Sequence, residues 1–131
     1  EISRQIAIKH GVRQGCVLAP TLFTLYLNRA SDYLLHCTHD YPDIGGLKTP
    51  ILLFAEDSLL ISKTQSGLQN LLDCFILFCN KKGLELNTSK TKCMVFRGQK
   101  VRPFAFSANG IALDEVKHFD YLGIRLQTNM Q

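Results

Sequence analysis

Apolar side chains recur at intervals of three and four residues between residues 19 and 37, and this spacing predicts a helix. Pro20 falls in the first turn, where a residue without a backbone N–H is tolerated. Residues 2–9 alternate loosely between apolar and polar side chains, which indicates a short strand or an entry segment. The polar, glycine-bounded stretch 11–16 that follows them is expected to form a loop.

A clearer helical period covers residues 66–82, where apolar side chains repeat about every 3.6 residues. Ser66, with Gln69 three residues later, resembles a capping box at the start of this helix. Gly83 is a natural end for it, because glycine readily adopts the left-handed conformation that closes many helices. We expect this helix to be the most persistent element of the chain.

Short apolar runs at 51–54 and 59–61 flank the adjacent carboxylates of Glu56 and Asp57. Runs this short and close together predict a β-hairpin with the carboxylates at or beside its turn. Asn109 and Gly110 predict another hairpin turn. Further strands are predicted at residues 84–86, 93–96, 104–106, 111–113 and 121–126. The order of helix, hairpin, helix and strands indicates an α+β fold in which helices pack on an antiparallel sheet.

The composition is that of one globular domain, with 131 residues of which 46% are apolar and 20% charged. No apolar run approaches the roughly 18 residues of a membrane span, so we expect no membrane partner. The first residues lack the layout of a signal peptide. The net charge of +4 gives a mild preference for polyanions, which is too weak to indicate nucleic acid by itself.

The five cysteines argue against a disulfide framework and against a zinc site, because their number is odd and none forms a CxxC pair. We expect them to be buried thiols in a reducing, intracellular compartment. They stand at positions 16, 37, 74, 79 and 93.

The acidic pair Glu56–Asp57 has two interpretations on residue chemistry alone. Carboxylates are ordinary turn residues, so the simpler interpretation is a solvated pair without a chemical role. Carboxylates at a hairpin tip also suit Mg²⁺, a hard cation that prefers oxygen ligands. A two-metal phosphoryl-transfer site needs ions held about 3.5–4 Å apart, and a third carboxylate from another strand is normally required. The spacing leaves both interpretations open.

Four stretches of sequence, taken together and in order, resemble the reverse transcriptase domain of non-long-terminal-repeat (LINE-type) retrotransposons. They are GVRQGCVLAPTLFTLYLN at 11–28, LLFAEDSLLISKT at 52–64, KKGLELNTSKTKCMVF at 81–96 and FDYLGIRL at 119–126. The resemblance covers nearly the whole chain. It implies RNA-directed DNA synthesis by two-metal nucleotidyl transfer, with Mg²⁺, deoxynucleotides, an RNA template and a DNA primer. The oligomeric state is left open.

The resemblance also implies a partial right-hand polymerase fold. Residues of about 1–97 would belong to the palm, including the FAED hairpin. Residues of about 98–131 would form the palm–thumb junction, the start of the thumb and the primer-grip region. In the family, one palm strand precedes the RQG loop, which corresponds to residues 13–15 of this chain, and pairs with the catalytic hairpin. The chain starts at or after that strand, so we expect an unpaired edge and low stability, with unfolding not far above about 60 °C.

The RQG loop of the family lies under the incoming nucleotide and the template. By resemblance, Gln14 would contact the nucleotide and Gly15 would let the backbone approach it closely. Arg13 would add positive charge near the phosphates, and a solvated arginine of the loop is the alternative interpretation. Phe54 corresponds to the aromatic residue that opens the family's Phe/Tyr-Ala-Asp-Asp box.

Glu56 and Asp57 occupy the two aspartate positions of that box, so the resemblance assigns both to catalysis and to metal binding. Lys90, with Lys92 in the same SKTK segment, matches a region in which a lysine assists the departure of pyrophosphate. A solvated surface position is the alternative for these lysines. The primer-grip turn is matched by Tyr121, Leu122 and Gly123.

Two departures from the family pattern bear on activity. Position 56 is Glu where the family has Asp. The extra methylene moves the carboxylate by about 1 Å, and a misplacement of this size can lower the reaction rate roughly 10²-fold. The other catalytic aspartate of the family lies upstream of the RQG loop, where the chain begins. We therefore expect a polymerase fragment that is inactive by itself.

Three other interpretations remain. One is a non-catalytic remnant of a retroelement that still binds nucleic acid through phosphates. Another is a decayed fragment without a selected role. The last is an unrelated α+β protein with chance similarity. It does not require the acidic hairpin to lie beside the RQG loop, whereas a polymerase palm does.

Overall fold

The computed structural model describes residues 16–96 and 104–128. Within these ranges the chain is a mixture of helices and short strands, so the predicted α+β class is confirmed. The helices are α1 (Ala19–Leu27), α2 (Ala30–Cys37) and α3 (Gln65–Lys81). The strands are β1 (Asp43–Ile44), β2 (Leu47–Lys48), β3 (Ile51–Phe54), β4 (Asp57–Leu60), β5 (Lys92–Cys93), β6 (Ser107–Ala108), β7 (Ile111–Ala112), β8 (Asp114–Glu115), β9 (His118–Tyr121) and β10 (Ile124–Gln127).

The strands pair two by two. Antiparallel hairpins with two-residue turns are formed by β1–β2, β3–β4, β6–β7 and β9–β10. β5 and β8 form a parallel pair. A single larger antiparallel sheet, expected from the sequence, is not formed within the two described ranges. Most of these strands are only two residues long and end at tight turns, so they offer few backbone groups to a further neighbour.

α3 is the central element, because apolar side chains pack against it on two sides. Each fully buried Leu, Ile or Phe side chain contributes about 1.5–3 kcal/mol relative to exposure. The cluster shared with α1, α2 and β3 contains Leu27, Ala30, Leu34, Ile51, Leu71, Phe75, Phe78 and Cys79. The cluster on the other side contains Leu72, Ile76, Cys93, Phe106, Ala108 and Leu113. The predicted helix over 66–82 is therefore confirmed, with each boundary one residue earlier.

The start of α3 differs from the predicted capping box. Thr64 is the N-cap: its backbone is extended and its Oγ1 accepts a hydrogen bond from the N–H of Gly67 at 3.0 Å. The prediction of a Ser66–Gln69 box was wrong, because the side chain of Gln69 has another partner. Its Nε2 donates to the carbonyl of Ser107 at 2.8 Å, and the Ser107 N–H donates to its Oε1 at 3.0 Å. Gln69 thus links β6 to α3 through two hydrogen bonds.

The predicted stop at Gly83 is confirmed, since this glycine has a left-handed φ of +67° just after α3. The strand predicted at 84–86 was wrong, because these residues form no strand pairing. Instead the N–H of Leu84 donates to the carbonyl of Cys79 at 2.9 Å, and Leu84 and Leu86 pack against the core. Leu84 and Leu86 alternate with polar residues because both pack against the core beside α3, and this spacing resembles that of a strand.

The single helix predicted over 19–37 is interrupted at Asn28 and Arg29, which separate α1 from α2. The N–H of Asn28 donates to the carbonyl of Leu25 at 3.3 Å, a tighter turn than an α-helix makes. Asparagine favours such breaks because its side chain competes for backbone hydrogen bonds. No helix in the described part of the chain is long and apolar enough to cross a membrane.

The C-terminal strands are shorter than predicted. The Asn109–Gly110 turn is confirmed, with φ of +52° and +77°, and joins β6 to β7. No strand forms over 104–106, and the strands predicted at 93–96 and 111–113 shrink to β5 and β7. The single strand predicted over 121–126 was wrong: Leu122 and Gly123 turn the chain between β9 and β10. The strand predicted over 2–9 lies outside the described residues.

The cysteines only partly follow the prediction of buried thiols. Cys79 and Cys93 are buried, as expected. Cys74 is half-buried, and Cys16 and Cys37 are exposed, so the prediction was wrong for these. All five are free thiols.

Candidate functional site

The acidic pair lies at the end of the β3–β4 hairpin. Phe54 pairs with Asp57 at the last position of the ladder, and Ala55 and Glu56 form the turn between them. Ala55 has a left-handed φ of +48°, a conformation that favours glycine. Backbone strain at such a position is commonly associated with a functional constraint.

The hairpin has a buried face and an open face, because successive side chains along a strand point in opposite directions. Ile51 and Leu53 belong to the face that packs toward α1, α2 and α3, and Ile51 is only 6% exposed. Phe54 and Asp57 are cross-strand neighbours on the other face. The Phe54 side chain is 61% exposed, so an aromatic ring and a carboxylate stand side by side in solvent.

The carboxylates of Glu56 and Asp57 are both exposed. Neither has a hydrogen bond or an ion pair to the residues that the structure describes, so the oxygens are available to a ligand. The chemistry of two free carboxylates fits a hard divalent cation. Within 16–96 and 104–128, however, no group of three or more His, Cys, Asp or Glu side chains is arranged to hold a metal ion. The pair would therefore supply part of a metal site.

The base of the hairpin is fixed to the rest of the fold. The N–H of Ile61 donates to the carbonyl of Pro50 at 2.9 Å and extends the hairpin by one step. Beyond it, the hydroxyl of Ser62 donates to the carbonyl of Asp40 at 2.6 Å. The Asp40 carboxylate also accepts from the hydroxyl of Thr64, the cap of α3. These contacts hold the hairpin between α2 and α3 and leave its tip free.

A groove of about 410 Å³ separates the tip of the hairpin from α1. It is mostly apolar, and the side chain of Leu25, which lines it, is exposed. The apolar period over residues 19–37 predicted a helix here and gave no indication of this groove. The residues that line it are Pro20, Thr21, Thr24, Leu25, Leu53, Phe54 and Ala55.

The predicted primer-grip residues form a second exposed turn. Tyr121 ends β9, and Leu122 and Gly123 make the turn with φ of +51° and +78°. Burial raises the pKa of Tyr121, and the negative charge of Asp57 raises this pKa further. The charge of Asp57 therefore reaches the Tyr121 hydroxyl. Sequence reasoning missed the salt bridge that braces this hairpin, in which Arg125 donates to both oxygens of Asp120 at 2.8 and 2.9 Å.

The two lysines of the SKTK segment differ in environment. Lys90 is exposed at the end of a turn in which its N–H donates to the carbonyl of Asn87 at 3.2 Å. No ion pair links Lys90 to the acidic pair in the described ranges. The ammonium group of Lys92 is 2.5 Å from Asp114 Oδ2, next to the β5–β8 ladder. Lys92 therefore stabilises the fold, whereas Lys90 is available to a ligand.

Three predicted site residues, Arg13, Gln14 and Gly15, lie outside the described residues. Of the others, the structure brings Phe54, Glu56 and Asp57 together at one turn, and the charge of Asp57 acts on Tyr121. A family model for the reverse transcriptase (RNA-dependent DNA polymerase) matches residues 1–126.

The chain belongs to the reverse transcriptase family.

Polymerases of retrotransposons are among its relatives. The chain is 32% identical over 133 residues to the Pol polyprotein of the type-1 retrotransposable element R2 of Popillia japonica, a match over 92% of the chain and 18% of the relative. It is 30% identical to the Pol polyprotein of R2DM of Drosophila melanogaster, over 93% of the chain and 12% of the relative. It is 28% identical to the RNA-directed DNA polymerase of the mobile element jockey of Drosophila melanogaster, over 94% of the chain and 14% of the relative.

These matches confirm the resemblance to LINE-type reverse transcriptases. The reverse transcriptase match reaches from the residues before the RQG loop to the β9–β10 hairpin. The chain spans less than one fifth of the length of these curated relatives.

Proposed function

We propose that this chain is part of an RNA-directed DNA polymerase of a LINE-type retrotransposon, and that it supplies the acidic hairpin of the palm. The observation that carries the proposal is the geometry of that hairpin. Glu56 and Asp57 are exposed at a two-residue turn and have no hydrogen-bond or ion-pair partner among residues 16–96 and 104–128. The base of their hairpin is fixed between two helices. Residues of about 1–97 would form palm, and residues of about 98–131 the junction with the thumb.

Glu56 and Asp57 are the residues that would hold Mg²⁺. Bound Mg²⁺ ions supply a nucleotidyl transfer site with charge stabilisation at the attacking and leaving oxygens. The structure's two carboxylates have the hard oxygen chemistry that this cation requires, and both are accessible. The third carboxylate of the family lies upstream of the RQG loop, so the pair described here would complete a site together with it.

The surroundings of the pair suit a primer and a template. The exposed Phe54 ring lies beside Asp57 and at one edge of the apolar groove, where a base or sugar could pack. The exposed turn at Leu122 and Gly123 follows Tyr121. Burial raises the pKa of Tyr121, and the negative charge of Asp57 raises it further. In the proposed complex this turn holds the primer strand near the metal ligands. Arg13, Gln14 and Gly15 would contact the nucleotide and the template, and Lys90 would stabilise the leaving pyrophosphate.

Glu56 sets the expected level of activity. Its extra methylene displaces the carboxylate by about 1 Å from the position that an aspartate would take, which can reduce the rate roughly 10²-fold. We infer that the 131-residue chain does not extend a primer at a measurable rate by itself.

Primer extension on an RNA template tests the proposal, measured with the protein that contains this segment. Asp57→Asn is expected to abolish extension, because it removes a metal-binding charge. Glu56→Asp is expected to raise the rate by about 10²-fold, because it restores the shorter side chain. Undiminished extension by the Asp57→Asn protein would contradict the proposal. Glu85→Gln, an exposed carboxylate away from the tip, is the matched control and should change nothing.

Glu56 also favours a second candidate, a non-catalytic module that binds nucleic acid. It predicts binding of an RNA–DNA duplex with no extension by either the natural protein or the Glu56→Asp variant. The affinity should fall linearly with salt on a log–log scale, with a slope near −0.9 per phosphate contact on duplex DNA. Affinity independent of salt would exclude this candidate.

A further inference from the structure

α2 and α3 pack against each other in an antiparallel arrangement whose register can be followed from side chain to side chain. The rings of Tyr33 and Phe78 lie 5.5 Å apart between their centroids. Farther along, the Asp40 carboxylate lies against the first turn of α3 at Thr64 and Gly67. Residue numbers thus rise along α2 as they fall along α3.

Cys37 and Cys74 face each other in this register. Cys37 is four residues after Tyr33, and Cys74 is four residues before Phe78. One helical turn takes about 3.6 residues, so both steps lead from the ring contact to the same level of the helix pair. Consistent with this placement, the neighbouring Cys37 side chain contributes to the raised pKa of the Cys74 thiol.

The two thiols have different surroundings. Cys37 is exposed at the C-terminal end of α2, where a reagent in solution can reach it. Cys74 is half-buried on α3, and burial together with the neighbouring Cys37 side chain raises its pKa to about 11. A thiolate is the nucleophile in disulfide exchange, so Cys37 is the thiol that reacts first.

We propose that Cys37 and Cys74 form an oxidisable dithiol, which small-molecule disulfides such as oxidised glutathione convert into an intramolecular disulfide. In the first step the Cys37 thiolate attacks one sulfur of the oxidant, forming a mixed disulfide and releasing one glutathione thiolate. In the second step the Cys74 sulfur loses its proton to solvent, attacks the Cys37 sulfur and releases the second glutathione. The two protein thiols are oxidised, and one glutathione disulfide is reduced to two glutathione thiols.

The remaining cysteines are not arranged in this way. Cys79 and Cys93 are buried, and Cys93 lies in the cluster on the opposite side of α3. Cys16 is exposed at the start of the described residues, before α1. A bond between Cys37 and Cys74 is therefore the one that the folded chain favours.

The bond would enclose the acidic hairpin. Residues 38–73 lie between the two cysteines, and they include β3, β4, Glu56 and Asp57. A disulfide restricts the unfolded chain more as the closed loop becomes longer, and a loop of this size raises the melting temperature by about 10 °C in a domain of this length. Oxidation would thus stabilise the element that carries the proposed metal ligands. The inference does not depend on polymerase activity.

The test is oxidation of the purified folded chain with oxidised glutathione, followed by peptide mapping under non-reducing conditions. The expected result is a cross-linked peptide that joins Cys37 to Cys74, together with a rise of about 10 °C in the melting temperature that a reducing agent reverses. Absence of this peptide after prolonged oxidation would overturn the proposal. Linkage of Cys37 to Cys16 or between two molecules, in place of Cys74, would overturn it equally.

Two variants separate the dithiol from general oxidation effects. Cys37→Ser changes an exposed residue and is expected to remove both the cross-link and the change in melting temperature. Cys16→Ser is the matched control at the other exposed cysteine and should keep both. Because the peptide map is obtained on the natural chain, the proposal remains testable even if a variant folds poorly. A rise in melting temperature that persists in Cys37→Ser would contradict it.

Discussion

Gly67→Ala should destabilise this protein, although alanine in place of glycine usually stabilises a helix. Gly67 is buried in the first turn of α3, beneath the Asp40 carboxylate. A Cβ at this position would lie 2.5 Å from Asp40 Cγ and 2.5 Å from Ser62 Oγ, and closer still to Asp40 Oδ2. The carboxylate cannot simply rotate away, because it accepts hydrogen bonds from the hydroxyls of Ser62 and Thr64.

The magnitude follows from two opposing effects. The alanine gains about 0.5–1 kcal/mol from helix propensity and from a less flexible unfolded chain. Expelling the Asp40 carboxylate removes hydrogen bonds to a charged group, which contribute about 1.5–3 kcal/mol. We therefore expect the free energy of unfolding to decrease by about 1–2 kcal/mol.

Urea denaturation followed by circular dichroism would measure this change, in the natural background and in a background that carries Asp40→Ala and Ser62→Ala. Removing the carboxylate and the Ser62 hydroxyl removes the steric conflict, so Gly67→Ala should then be neutral or stabilising by up to about 1 kcal/mol. The predicted signature is a reversal of sign between the two backgrounds. Stabilisation in the natural background, or an equal loss in both, would refute the proposed role of the Asp40 contact.

Other predictions concern the turns and the titrating groups. Leu122→Gly should raise the free energy of unfolding by about 0.5–1 kcal/mol, because leucine is strained at a φ of +51°, whereas Leu122→Ala, the matched control, should not. Burial raises the pKa of the Cys93 thiol from 9.0 to about 11, so its contribution to stability is complete below pH 9 and is lost as the pH rises toward 11. Thermal melts of Cys93→Val should depend less on pH over this range, and an unchanged dependence would contradict the assignment. Lys92 lowers the pKa of Asp114 below 3.8, so this pair stabilises the fold above that pH and the effect disappears in stronger acid. Lys92→Gln should therefore reduce the acid dependence of the melting temperature, while Lys90→Gln should leave it unchanged.

Local patterns predicted the elements whose determinants are local. The apolar period over 66–82 identified α3, because one face of that helix is buried along its length. Asn109–Gly110 identified a hairpin, because both residues tolerate a left-handed backbone. The apolar pattern alone placed a continuous strand over Leu122, because leucine rarely adopts a positive φ. Only the resemblance to the primer-grip turn indicated a turn at residues 121–123, where the structure has one.

Contacts between distant residues were not accessible to pattern reasoning. Thr64 caps α3 in place of Ser66, and its hydroxyl donates a hydrogen bond to the carboxylate of Asp40, 24 residues earlier. The placement of Cys37 opposite Cys74 likewise depends on how α2 and α3 pack against each other. At the candidate site, the motif resemblance named Glu56 and Asp57, but the exposure of both carboxylates and the groove beside Phe54 follow only from the fold.

Binding of a divalent cation by the hairpin tip tests the central claim most directly. Mn²⁺, a paramagnetic substitute for Mg²⁺, should selectively broaden the amide NMR signals of residues 54–58 in the 131-residue chain. The broadening should disappear when Glu56→Gln and Asp57→Asn are combined, and should persist in the control Glu85→Gln. Broadening that is centred elsewhere, or that survives loss of both carboxylates, would show that the acidic pair is an ordinary solvated turn.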